Sequence, residues 1–175
     1  MKKYFSLLLV LAMCLAACDG KKSDEKKEES AKSSAIVESS VESEDQGLVF
    51  VDLGLPSGIK WKAVNEEGFY DYDEAVNKYG ASLPSKEQLE ELKGCCVWEW
   101  NGEGCVVKGP NGNSITLPAA GVCSDGELYE DGDTGYYWSS TPDGSDYTWS
   151  LVFGSSEVTM YGNGRCNGLS VRLVQ

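Results

Sequence analysis

Carboxylates, cysteines and tyrosines are the side chains of this sequence that could do chemistry, because its 175 residues include no histidine. That absence excludes a Ser-His-Asp triad, a Cys-His dyad and histidine-ligated zinc or iron sites. A carboxylate pair of the glycosidase kind stays open, since many acidic side chains allow some pair at a suitable distance. No spacing singles out such a pair. We therefore predict no catalytic residues and a protein that is not an enzyme.

Seven cysteines are present, and five of them fall where we expect a folded domain: Cys95, Cys96, Cys105, Cys123 and Cys166. In an exported protein these five can form two disulfides and leave one thiol. A bond from Cys95 or Cys96 to Cys105 is one expectation, and a bond from Cys123 to Cys166 is another. No C-x₂-C pair exists, which argues against a Cys₄ metal site.

Polar and tyrosine side chains near the C-terminus form the candidate contact surface. Residues 147–153 alternate, which predicts a strand with Trp149, Leu151 and Phe153 on its buried side. Residues 157–161 alternate in the same way after a Gly-Ser-Ser turn. Tyrosine at a strand end offers a large, rigid contact area with a polar tip. The predicted ligand-binding residues are Tyr147, Ser150, Val152, Glu157, Thr159, Tyr161, Asn163 and Arg165.

The elements that must position these residues are short. The sequence predicts a helix over residues 71–79 and a second helix that starts at the N-cap Ser85, with Gln88 in a capping box and Gly94 at its end. Residues 97–108 read as a hairpin, and 114–117 as a further strand. Residues 124–135 read as a polar, acidic loop.

The C-terminal end predicts an antiparallel meander. A short aromatic strand begins at Tyr136, the turn Asp143-Gly144-Ser145-Asp146 follows, and then come the two alternating strands. The glycine-rich stretch 162–168 is predicted to be a loop, and Leu169, Val171 and Leu173 form the apolar side of a last strand. Two early helices followed by many short antiparallel strands predict an α+β domain.

Several motifs in this part of the chain carry a resemblance to a known family. They are LGLPSG at 53–58, GPNGNSITLPAAG at 109–121, YYWSST at 136–141, the DGSD turn and the ending GLSVRLV. Together they resemble the Fibrobacter succinogenes major paralogous domain, which is found in lipoproteins of Bacteroidetes-type bacteria. That family is related to the C-type-lectin-like and formylglycine-generating-enzyme folds, so the resemblance implies a C-type-lectin-like fold. It implies no single activity, since fold does not give function.

Two further expectations follow from this resemblance. One set of C-terminal residues is similar in placement to the variable positions of diversity-generating-retroelement target proteins, whose final strands and loop form a ligand site. The set comprises Tyr147, Ser150, Val152, Gly154, Glu157, Thr159, Tyr161, Asn163 and Cys166. An enzyme related to the formylglycine-generating group is a less favoured reading, because the chain is much shorter and its Cys166 does not match their active-site pattern.

The acidic loop is the candidate calcium site of this sequence, because many C-type lectins bind sugars through a calcium ion. Its carboxylates supply the hard oxygen ligands that calcium prefers. The EF-hand spacing is absent, however, and so are the Glu-Pro-Asn and Gln-Pro-Asp tripeptides of sugar-binding lectins. We expect solvated loop acids here and predict no metal and no other cofactor. The acidic positions are Asp125, Glu127, Glu130, Asp131 and Asp133.

Residues 1–17 have the pattern of a lipoprotein signal peptide. Lys2 and Lys3 precede an apolar stretch too short to remain as a membrane-spanning helix. Leu15-Ala16-Ala17-Cys18 resembles a bacterial lipobox, which predicts cleavage before Cys18 and lipidation of its thiol. Several acyl chains on one residue give effectively permanent membrane attachment. An ordinary secretory signal with an incidental cysteine is the alternative.

Residues 18–46 then read as a tether that carries nine acidic and five basic side chains and no aromatic residue. Such a segment buries too little apolar surface to offset its ordering entropy, so we expect it to be disordered. A charged run directly after a lipidated cysteine is similar to the surface-export signals of Bacteroidetes lipoproteins. A plain spacer in the periplasm is the alternative.

Residues 47–175 form the predicted domain, which is long enough to bury a sizeable core. Its 19 acidic and 8 basic residues give a net charge of −11, so nucleic acid is a poor partner. We therefore expect a cell-surface binding or adhesion module, anchored by lipid in the outer membrane, with a protein or glycan ligand. The alternative is a structural or assembly subunit of a surface complex.

Overall fold

The computed structural model describes residues 49–175, which lie in the compact unit formed by residues 40–175. The expected signal peptide, lipidated Cys18 and tether lie outside the described residues. The described part holds two α-helices and ten strands, and all pairs of named strands are antiparallel. The predicted α+β class is therefore confirmed. In chain order the elements are β1 (Phe50–Asp52), β2 (Lys60–Lys62), α1 (Tyr72–Tyr79), α2 (Lys86–Cys95), β3 (Val97–Trp100), β4 (Gly104–Lys108), β5 (Ser114–Pro118), β6 (Val122–Ser124), β7 (Glu127–Tyr129), β8 (Gly135–Asp143), β9 (Tyr147–Phe153) and β10 (Val158–Gly164).

Both helices begin at capping boxes. The side chain of Asp71 accepts from the backbone N–H of Glu74 before α1, and Glu74 reaches back to the N–H of Asp71. Ser85 and Gln88 make the same reciprocal pair before α2, as the sequence predicts. These pairs satisfy backbone donors that a helix start leaves without partners. The second helix continues one residue beyond the predicted stop at Gly94.

Two three-stranded sheets enclose the first hydrophobic core. One has the order β3-β4-β5, and the other has the order β10-β9-β8. Leu151 and Phe153 of β9 and Leu117 of β5 are almost completely buried in this core. The rings of Trp98 and Phe153 lie 5.7 Å apart between the two sheets. The predicted buried side of the strand 147–153 is thereby confirmed for Leu151 and Phe153, while Trp149 is only half-buried.

A second core covers part of the opposite side of the β8-β9-β10 sheet. Trp138 of β8 is fully buried there and packs at an edge against Tyr72 of α1. Leu169 and Val171 complete this second core from the end of the chain. The sheet is therefore covered on both sides near Trp138, and the outward side is open only farther along the strands.

Three predicted segments differ from the structure. Residues 162–164, expected in a loop, pair with Trp149, Thr148 and Tyr147 in β10. The expected polar loop 124–135 contains the strand β7, paired with β6. The last apolar segment forms isolated bridges, such as Tyr70 with Leu169, instead of a regular strand.

Neither helix of residues 49–175 has the length and the apolar character that crossing a membrane requires.

Candidate ligand-binding face

Three neighbouring strands place Tyr136, Val152 and Thr159 in one row across the sheet. Val152 pairs with Tyr136 on one side and with Thr159 on the other. These three side chains line an open cavity of about 380 Å³, together with Glu157 and Glu130. The structure thus brings three of the predicted residues, Val152, Glu157 and Thr159, into one site.

Tyr161 lies beside this cavity on the same side of the sheet. It follows Thr159 by two residues on β10, and side chains two apart in a strand share a face. Its side chain is 61% exposed, the largest exposure among the large hydrophobic residues of the described part. We call Tyr136, Val152, Thr159 and Tyr161 the outer face.

Ser150 and Asn163 were expected to be outward contact residues, but both are buried. The Asn163 amide donates to Ser150 Oγ (2.6 Å), and Ser150 Oγ donates to the carbonyl of Tyr161 (3.0 Å). The second core covers this part of the sheet, so the alternation of polar and apolar residues does not mark an exposed side here. These two side chains lie on the same side of the sheet as the outer face, but under the cover of the second core, so they do not contact a ligand in this arrangement.

Tyr147 and Arg165 do not join the outer face. Tyr147 is 54% exposed, but it shares strand parity with Leu151 and so points to the other side of the sheet. Arg165 lines a separate cavity of about 530 Å³ with Asp73 and Asp146. Its guanidinium pairs with the Asp73 carboxylate at 2.5 Å and lies 4.5 Å from the ring centroid of Tyr72.

Sequence analysis missed Tyr136 and Glu130 as residues of this site. The Tyr136 hydroxyl donates to Glu130 Oε2 at 2.6 Å. Burial, and then this hydrogen bond, raises the pKa of Tyr136 to about 12. Glu130 has a φ of +57°, a left-handed conformation that costs a non-glycine residue about 1 kcal/mol. The position of Tyr136 depends on the register between β8 and β9. This register shifts between Trp138 and Pro142, so residue spacing in the sequence does not predict it.

We expect the free energy of unfolding to fall as the pH rises from about 10 to about 12. Burial raises the pKa of Tyr136 and of Tyr137 to about 12, whereas tyrosine in an unfolded chain ionises near 10. The unfolded state therefore loses its protons first, and stability that is fully present below pH ~10 is lost on the way to pH ~12. Urea unfolding at several pH values in this range measures how far the free energy of unfolding falls with pH. This fall should be smaller for Tyr136→Phe and for Tyr137→Phe than for the wild type. An unchanged fall would contradict the assignment of the raised pKa values to these two tyrosines.

The cysteines do not form the expected pairs. All five in residues 49–175 are free thiols, so neither the bond to Cys105 nor the bond from Cys123 to Cys166 is present. Burial raises the pKa of Cys105, and burial, with smaller contributions from Cys95 and Glu91, raises that of Cys96 to about 11. Cys166 is exposed and lines the cavity of Arg165.

No group of three or more His, Cys, Asp or Glu side chains in the described region has the arrangement to hold a metal ion. Two carboxylates of the acidic loop, Glu130 and Asp133, line the cavity of the outer face instead.

Comparison with known proteins finds one family model that is similar to part of this chain. The model, described as Domain of unknown function (DUF8237), matches residues 98–174. The match includes every residue of the outer face and stops short of both helices. No curated protein matches the chain, and no solved structure does.

Proposed function

We propose that this chain is a lipid-anchored, non-enzymatic binding or adhesion module at the cell surface, whose ligand lies on the outer face. The proposal includes a C-type-lectin-like fold, which is supported by two capped helices that precede eight of the ten antiparallel strands. Lipid attachment at Cys18 and location at the outer membrane rest on the lipobox-like Leu15-Ala16-Ala17-Cys18.

One observation carries the proposal: the cavity of about 380 Å³ bordered by Tyr136, Val152 and Thr159, with Tyr161 exposed next to it. Aromatic rings supply contact area, and the phenol and threonine hydroxyls supply adaptable hydrogen bonds. Glu130 and Glu157 make the cavity acidic. A neutral or basic part of a protein or glycan fits this chemistry, whereas a nucleic-acid phosphate does not.

The test is a binding screen of residues 19–175, which contain the whole compact unit 40–175, against glycan and host-protein arrays. For any ligand found, we expect Tyr161→Ala to weaken binding about tenfold or more, the usual size for an exposed aromatic anchor. Thr159→Arg, which places a long side chain in the cavity, should do the same. Tyr147→Ala is the matched control, because it removes an equally exposed tyrosine from the other side of the sheet.

Binding that survives both outer-face changes, or that is lost with Tyr147→Ala, would overturn the placement of the site. Each measurement is made with calcium and with EDTA. Loss of binding in EDTA would show that calcium takes part, contrary to the expectation of no metal.

A second candidate function is that of an assembly subunit in a surface complex. The observation that favours it is the hairpin β6-β7, where Leu128 and Tyr129 are both about half exposed. As consecutive residues of β7, these two side chains point to opposite sides of the hairpin. Exposed apolar side chains mark protein contact sites when the patch is extensive. A protein ligand that is lost with Leu128→Ser and kept with Tyr161→Ala would favour this function.

A further inference from the structure

A second cavity lies on the other side of the turn that joins β9 to β10. It has a volume of about 170 Å³ and is bordered by Trp98, Trp100 and Cys105, with turn residues 154–157 opposite. Trp98 and Trp100 are two residues apart on β3 and so share one side of the strand. Both are half-buried and pack against the first core. We call Trp98, Trp100, Cys105 and Glu157 the tryptophan cleft.

The charged and aromatic side chains of this cleft favour a positively charged ligand. Glu157 is its one ionisable carboxylate, and no lysine or arginine lines it. Glu157 makes no ion pair within residues 49–175. The faces of tryptophan rings attract cations through their negative quadrupole, and tryptophan does so best of the aromatic residues. The domain 47–175 around the cleft carries a net charge of −11, which raises the local concentration of cations.

Elsewhere in the domain the chain supplies its own cations to aromatic rings. Lys86 Nζ lies 3.5 Å from the ring centroid of Trp149, and Lys78 Nζ lies 4.7 Å from that of Tyr70. Trp98 and Trp100 receive no such cation from the described residues. The cleft therefore combines two aromatic walls, an unpaired carboxylate and open space.

We propose that the tryptophan cleft is a binding site for an alkylammonium group. The two indole rings surround the hydrocarbon part of the group, and Glu157 balances its charge. A cavity of about 170 Å³ accommodates a group of the size of trimethylammonium, which needs no hydrogen-bond donor or acceptor in the walls. This site adjoins the outer face across the turn, since residues 154–157 border both cavities. The proposal does not rest on the function proposed there, because Trp98 and Trp100 line this cleft alone.

The test is a calorimetric titration of residues 19–175 with choline, next to its neutral isostere 3,3-dimethylbutan-1-ol. We expect choline to bind and the isostere, which has the same shape without the charge, to bind at least tenfold more weakly. The acetylated methylamide of lysine and vesicles of phosphatidylcholine then distinguish a peptide source of the ammonium group from a lipid headgroup. Trp100→Ala should weaken choline binding about tenfold, in the range of a desolvated cation–π contact.

Two milder variants keep the proposal testable if Trp100→Ala does not fold. Trp100→Phe retains an aromatic ring, and Glu157→Gln changes an exposed side chain; each should weaken choline binding several-fold. Glu99→Gln is the matched control and should change nothing, because Glu99 lies between the two tryptophans on the opposite, exposed side of β3.

Equal binding of choline and its isostere, or choline binding that Trp100→Phe and Glu157→Gln leave unchanged, would overturn the proposal. So would a neutral sugar such as methyl glucoside binding in the cleft where choline does not. Trp100→Phe tests only this cleft and Tyr161→Ala only the outer face, so the two proposals fail separately.

Discussion

Replacing Arg172 with methionine is expected to lower the free energy of unfolding by about 3 to 5 kcal/mol, because four hydrogen-bond acceptors lose their charged donor at about 1 kcal/mol each. Arg172 is buried, with 2% residue exposure, and its side chain is one of the largest buried ones in residues 49–175. Its Nε donates to the Asn65 amide oxygen, and its two Nη atoms donate to the carbonyls of Lys62, Ala63 and Thr116, at 2.5–2.8 Å.

The size of this effect depends on the hydrogen-bond acceptors that lose their donor when the guanidinium is removed. A buried acceptor without a donor costs about 1 to 3 kcal/mol. The four acceptors here lie in part-buried hydrogen bonds, so we expect about 1 kcal/mol for each, because methionine supplies no donor to any of them. Burial lowers the pKa of Arg172 to about 10, so the group is still charged at neutral pH. No carboxylate of the described residues pairs with it; carbonyl dipoles stabilise the charge instead.

Urea unfolding measures the effect, with Arg165→Met as the matched control. Arg165 is partly exposed and pairs with an exposed carboxylate, so its loss should cost about 1 kcal/mol or less. Arg172→Lys keeps the charge with fewer donors and should fall between the wild type and Arg172→Met. A loss below 1 kcal/mol for Arg172→Met would show that the carbonyls find other donors.

Replacing Gly109 with alanine is expected to cost about 1 to 3 kcal/mol, the usual penalty for overpacking a closely packed site. A Cβ at this position would overlap the carbonyl oxygen of Leu53 and lie 2.7 Å from the Leu53 Cβ. Leu53 is fully buried in the first core, so its backbone cannot move aside freely. The N–H of Gly109 also donates to the carbonyl of Asn113 at 2.8 Å, which holds the turn in place.

Gly94→Ala is the control for this second prediction. Gly94 lies within α2, and a Cβ there would meet no atom within 4 Å. Alanine in a helix is favoured over glycine by up to about 1 kcal/mol, so this variant should be slightly more stable than the wild type. Thermal unfolding of both variants gives the comparison; a Gly109→Ala protein as stable as Gly94→Ala would contradict the packing argument.

Local rules were enough to predict much of the fold. The N-cap Ser85 with Gln88, the hairpin 97–108 and the buried Leu151 and Phe153 all appear in the structure as expected. These features depend on residues within a few positions of each other, through capping and alternation. The same rules brought Val152, Glu157 and Thr159 to one cavity, because neighbours in a strand and its turn are near in sequence as well.

The remainder of the site depended on contacts between distant segments. Ser150 alternates like an exposed residue and Asn163 was predicted in a loop, but α1 and the end of the chain pack over that part of the sheet. Gly162 lies in a strand because β9 supplies its partner, although glycine-rich sequence disfavours strands.

The sequence by itself therefore determined the α+β class, the two helix starts, the acidic charge and which residues alternate along each strand. Only the tertiary structure decided which side of a strand is open to a ligand. Tyr136 joins the outer face through a register that shifts within β8, and Trp100 meets Glu157 because two separate sheets pack together. Alternation distinguishes the two sides of a strand, but exposure depends on what packs against each side, and residues far away in the sequence supply that cover.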